Sequence, residues 1–106
     1  MNLKKVKGYL GFKKMEKEGC PLCRLVEGEI KTHKYYRDVT CIIVDCLTCR
    51  IPMVVVNHHG QATEEDKRLM VNAIDYLFEY HSIRRVPRQI VDHEHWHVIG
   101  ARLKKA

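Results

Sequence analysis

Residues 90–100 read Ile90-Val91-Asp92-His93-Glu94-His95-Trp96-His97-Val98-Ile99-Gly100, and the fold turns on whether this stretch is strand or helix. Apolar, largely β-branched residues flank it on both sides, which favours an extended chain. Side chains of a strand alternate between faces with a period of two, so His93, His95 and His97 share one face. Glu94 then points the opposite way, where an apolar residue would pack, and needs a partner there. On a helix the same letters would spell His-Glu-x-x-His, with His93 and His97 one turn apart as in zinc proteases. The flanks oppose that alternative, so the last strand is assigned to Ile90 to Ile99. Three imidazoles on one face gather groups that change charge near neutral pH. Such a row can orient an anion, attack phosphorus and bind metal.

Upstream, Pro87 blocks any helix from running into this strand. Thr63-Glu64-Glu65-Asp66 is a capping-box-like helix start, with acidic residues at the positive helix end. Leu69, Met70, Ala73, Ile74, Leu77 and Phe78 follow at helical spacing, which predicts a long amphipathic helix from Glu64 to about Tyr80. That stripe is core. Ile51 to Val56 is apolar throughout and reads as a strand covered on both faces, with Pro52 near its start. Cys41-Ile42-Ile43-Val44 and Tyr35-Tyr36 read as two more strands, with Asp38 marking the turn between them. Leu25, Val26 and Ile30 suggest a short helix ending near Gly28. The layout is an α+β sheet around one long helix, with helices on one side. Residues 1–19 read as a basic lead-in, where Leu10, Phe12 and Met15 can pack as one helical turn, and residues 20–106 as a single domain.

The chain has 106 residues, enough for one domain with a limited core. It carries a formal net charge of +6, which attracts polyanions without choosing among nucleotide, nucleic acid and acidic surface. Several terminal lysines fit a simple solubility role. No stretch approaches the roughly 20 apolar residues that cross a bilayer. No secretory signal is visible, so the expected compartment is cytoplasmic.

Five cysteines, an odd number, argue against a disulfide framework. Cys20-Pro21-Leu22-Cys23 can present two thiolates to one ion. Zinc asks for four ligands. The other two can come from His58, His59, the row His93, His95 and His97, or the second pair Cys46 and Cys49. Two Cys-x-x-Cys pairs also admit a ribbon-like site built from all four thiols, although their separation is longer than usual for that pattern.

The histidine row resembles the signature of the histidine-triad family of nucleotide hydrolases and transferases. Several further stretches resemble family segments in the same order: Cys20 to Ile30 with Tyr36-Arg37-Asp38, Ile42 to Asp45, and Met53 to His59. Gln89 stands four residues before His93, as the family's glutamine does. The resemblance runs from Cys20 to about Gly100. It implies a five-stranded antiparallel sheet with a long helix, usually paired as a homodimer. It implies a structural zinc on Cys20, Cys23, His59 and His93, with His58 the adjacent competitor. The middle histidine, His95, becomes the nucleophile towards an α-phosphate, forming a nucleotidyl-histidine that water cleaves. His97 donates a hydrogen bond to the phosphate, and Asp45 corresponds to the residue that contacts the ribose. The implied ligand is a nucleotide or nucleotide conjugate, with no membrane involvement.

This chain departs from the family pattern before the triad. The usual glycine-rich turn and serine are replaced by Arg84-Arg85-Val86-Pro87-Arg88-Gln89-Ile90, with Ile90 in the serine's place. The strand leading into this segment is shortened, which suggests fewer strands, and the loop after Asp45 is shorter too. Arg84, Arg85 and Arg88 are candidates to replace the lost phosphate donors, because guanidinium grips phosphate in a bidentate fork. The second reading is a zinc-stabilised module without catalysis that binds nucleotides or, weakly through its basic surface, nucleic acid.

Overall fold

The computed structural model describes residues 19–86 and 92–104. Helix α1 (Pro21–Glu27) starts with Pro21 in its first turn, where a missing N–H costs nothing. Gly28, at φ 84°, closes it in the left-handed conformation that favours glycine. Three strands and a helix follow in the expected order, β1 (Lys34–Arg37), β2 (Cys41–Asp45), β3 (Pro52–Val56) and α2 (Glu64–Leu77), and then β4 (Phe78–Glu79), which was not expected. The chain ends in β5 (Ser82–Arg84), β6 (His95–Ile99) and β7 (Arg102–Leu103).

Five strands form one antiparallel sheet in the order β1-β2-β3-β6-β5. The strand before the triad is short, three residues in β5, but it still pairs Ile83 with Val98 and Arg84 with His97, so the count stays at five. Alternation along β2 and β3 feeds two cores. Cys41, Ile43, Val54 and Val56 join Trp96 and Val98 of β6 against Met70, Ala73 and Ile74 of α2. Ile42, Val44, Met53 and Val55 face the other way, onto Leu22, Cys23 and Leu25 of α1. The expectation of helices on one side is therefore corrected: the two helices cover opposite faces. The apolar β3 is buried from Met53 to Val56, as a strand covered on both faces must be.

Helix α2 begins as its sequence dictates. The Asp66 N–H donates to the Thr63 hydroxyl at 3.0 Å, and the Thr63 N–H donates to the Asp66 carboxylate at 3.0 Å, a reciprocal capping box. The helix stops at Leu77, three residues before the expected end. Phe78 and Glu79 instead pair with Leu103 and Arg102 in a separate two-stranded sheet. The final segment also differs from expectation: β6 is His95–Ile99, with Asp92 and Glu94 outside any strand, and β7 follows it. Leu10, Phe12 and Met15 lie outside the described residues. Among the described residues no helix is long and apolar enough to cross a membrane.

Candidate functional site

The α1 face of the sheet carries the chemistry. His93 sits just before β6, bridged to Gly60. Its ring is 1% exposed, and its Nε2 lies 2.6 Å from the Val56 carbonyl oxygen. A carbonyl can only accept, so Nε2 carries the proton and Nδ1 keeps a lone pair. That Nδ1 lies 3.4 Å from Cys20 Sγ and 3.5 Å from Cys23 Sγ. His59 Nδ1 lies 3.4 Å from Cys23 Sγ. Ligand atoms of Cys20, Cys23, His59 and His93 all fall within 4.8 Å of one another. Tetrahedral zinc, with bonds of about 2.3 Å to sulfur and about 2.0–2.1 Å to nitrogen, sets sulfur and nitrogen about 3.6 Å apart. The four residues therefore fit a metal ion of zinc's size and chemistry. Burial pushes the His93 pKa below its ordinary value, which favours the neutral ring that a metal requires.

His58 and His59 are separated by their partners. The His58 ring donates to the Asp66 carboxylate at 2.9 Å and stays half in solvent. The bond to Asp66 raises the His58 pKa. The aspartate that caps α2 thus draws His58 outward, while His59 turns to the thiols.

The other two triad rings line a cleft of about 340 Å³ between α1, β6 and the loop after β2. That volume lies within the roughly 300–1,000 Å³ of small-molecule sites. His95 is 9% exposed, and its Nδ1 lies 2.9 Å from the His93 carbonyl oxygen. By the same logic Nδ1 is protonated in the neutral ring, and the lone pair sits on Nε2. The His95 and His97 rings meet edge to face, 5.9 Å between centroids. Met53, Leu22 and Leu25 supply apolar wall, and Arg84, directly across the ladder from His97, supplies a cation.

Other expected residues are placed differently. The Arg85 guanidinium lies 4.2 Å above the Trp96 ring, on the α2 side of the sheet, so it is corrected from phosphate grip to cation–π contact. The Asp45 carboxylate accepts the Tyr35 hydroxyl at 2.7 Å, at the β2 end beside the cleft, and is not among the residues that line it. Arg88, Gln89 and Ile90 lie outside the described residues. Glu94 has the partners it needs: its carboxylate accepts the Trp96 indole N–H and the Ala62 N–H, both at 2.9 Å. Burial opposes its charge, but these two donors outweigh it and lower its pKa.

The four-thiol ribbon is not formed; Cys20 and Cys23 belong to one cluster and Cys46 and Cys49 to another. Cys46 and Cys49 line the cleft that holds His95 and His97. The signal was present in the repeated Cys-x-x-Cys spacing, but only the β2–β3 register brings it opposite β6.

No family model and no curated protein matches the sequence. A search of solved structures finds the crystal structure of a HIT family protein from Bacillus anthracis, at a TM-score of 0.56 and 22% identity, covering 78% of this chain and 73% of that one. The likeness is one of fold: the chain has a HIT-like α+β architecture.

Proposed function

We propose that this chain is a nucleotide-binding domain of histidine-triad type, acting at an α-phosphate through His95 and braced by a structural zinc on Cys20, Cys23, His59 and His93. The observation that carries the reading is the bond from His95 Nδ1 to the His93 carbonyl. It fixes the tautomer that leaves the Nε2 lone pair for nucleophilic attack.

In this mechanism the Nε2 lone pair forms a bond to the α-phosphorus as the bond to the leaving group breaks. The leaving group departs with that electron pair. Water then attacks the phosphoryl-imidazole, the P–N bond breaks back to the ring, and the water's proton is released. His97 donates a hydrogen bond to a phosphate oxygen, and Arg84 offsets charge as it develops. Arg88 and Gln89 are further candidates to contact the phosphate, and Asp45 to contact the ribose. The zinc, when bound, supplies a fixed link between α1 and the start of β6, with all four positions filled by protein. It holds the His93 backbone, and so the carbonyl that orients His95.

One observation favours a module that binds without turnover: Ile90 stands where the family's serine would touch phosphate. Incubation with a panel of adenylated and guanylated compounds separates the two. Mass spectrometry is expected to find a nucleotide adduct on His95 that disappears in His95→Ala. Turnover surviving in His95→Ala overturns the mechanism; saturable binding with neither adduct nor turnover selects the binding module.

A further inference from the structure

The cleft contains a second group of metal-ligand side chains, Cys46, Cys49 and His97, whose ligand atoms also lie within 4.8 Å of one another. We propose that these three residues form a second metal site, for a thiophilic d10 divalent cation such as zinc, with one coordination position open to the cleft.

The donor set is the first argument. Two thiolates and one imidazole are a preferred zinc environment, and three protein ligands are the number found where a fourth position is left to water or another exchangeable ligand. The second argument is local geometry. The Cys46 N–H donates to the Ile51 carbonyl and the Arg50 N–H donates back to the Cys46 carbonyl, both at 2.9 Å. Arg50 closes the loop at φ 63°, in the left-handed region that a non-glycine residue rarely enters. Cys46-Leu47-Thr48-Cys49 is thus a closed knuckle with both thiols on one side, not an open loop.

The third argument is the position of His97. It is anchored in the sheet between Met53 of β3 and Arg84 of β5, so its ring meets the knuckle from a rigid element. The contrast with the first cluster is instructive. There three of the four ligands are buried, and the fourth, His59, completes the set. Here Cys49 is exposed and the other two are half-buried, so a bound ion would be reachable from solvent through the cleft that His95 also lines. A metal held there would fix anionic oxygen in the cleft. This proposal stands on the three side chains alone and does not require turnover at His95; the lone-pair nitrogen of His97 would meet the metal, leaving its other ring N–H to donate to phosphate.

The test is metal stoichiometry of the full chain, reduced, loaded with zinc and desalted, read by elemental analysis. Cys46→Ser, Cys49→Ser and His97→Ala are each expected to hold about one zinc per chain fewer than the parent. In a parallel cobalt load, the thiolate-to-cobalt charge-transfer absorption is expected to fall in both cysteine variants. Circular dichroism of each variant checks that the sheet is intact. Equal zinc content and equal cobalt spectra in parent, Cys46→Ser and Cys49→Ser overturn the second site. Loss in the cysteine variants with none in His97→Ala overturns the three-ligand form.

Discussion

Two backbone carbonyls set the roles of the two central imidazoles. Val56 accepts from His93 Nε2 and turns its Nδ1 to the thiols; the His93 carbonyl accepts from His95 Nδ1 and frees the opposite nitrogen. Under the proposed function, metal binding and nucleophilicity would thereby be linked through His93. A residue-level prediction follows for the neighbouring pair. His59→Ala is expected to lose the proposed structural zinc, seen as zinc release to a chromogenic chelator, whereas His58→Ala retains it and loses only the bond to Asp66. Equal retention in both variants would remove His59 from the ligand set. The triad itself was legible from period two alone. The choice between two adjacent histidines was not, because a helix cap eight residues downstream decides it.

Among the elements, the β1–β2 turn has the most concentrated polar network. Asp38 accepts the N–H groups of Thr40 and Cys41 at 2.8 and 2.9 Å and the Tyr36 hydroxyl at 2.7 Å. Burial raises its pKa, but those three donors prevail and hold it below its ordinary value of 3.8. Removing the carboxylate orphans these donors at a cost of about 1–3 kcal/mol. Asp38→Ala is therefore expected to lower the urea midpoint by that equivalent. The sign with pH follows from the depressed folded-state pKa: the ionised form favours folding, so the contribution is full above the ordinary carboxylate value and disappears as pH falls through the lower folded one. Parent and variant stabilities should converge in that acid window and diverge above it; a constant gap across it would contradict the assignment. Hairpin turn, capping box and apolar β3 were all readable in the sequence. The placement of helices on opposite faces was not. Continuous apolar strands announce that both faces are covered, but not by which helix. The early end of α2 escaped for a related reason: Phe78 continues the helical stripe, yet pairing with Leu103 pulls it into β4.

At the scale of the whole molecule, a net charge of +6 leaves two partners to separate, one nucleotide in a cleft or an extended polyanion on the surface. The placement of cations favours the first. Arg84 faces the cleft. Arg85 lies over Trp96 on the opposite side, Arg102 pairs with Glu79, and Arg68 pairs with Glu65. Among the described residues these cations are thus dispersed over several faces, with aromatic Trp96 buried and unable to stack on bases. Counterion release gives the discriminating slope. A surface that meets 6–10 phosphates loses about 10³–10⁵ in affinity between 50 and 200 mM salt, whereas a mononucleotide with few contacts loses far less. Titrating a nucleoside monophosphate and a single-stranded oligonucleotide over that range is expected to give a shallow slope for the first. For the second, weak affinity should collapse with salt. Arg84→Ala should weaken the mononucleotide and leave the oligonucleotide slope nearly unchanged, because only one of many dispersed cations is removed. A tight oligonucleotide complex that loses affinity together with the mononucleotide in Arg84→Ala would instead place the polyanion in the cleft itself.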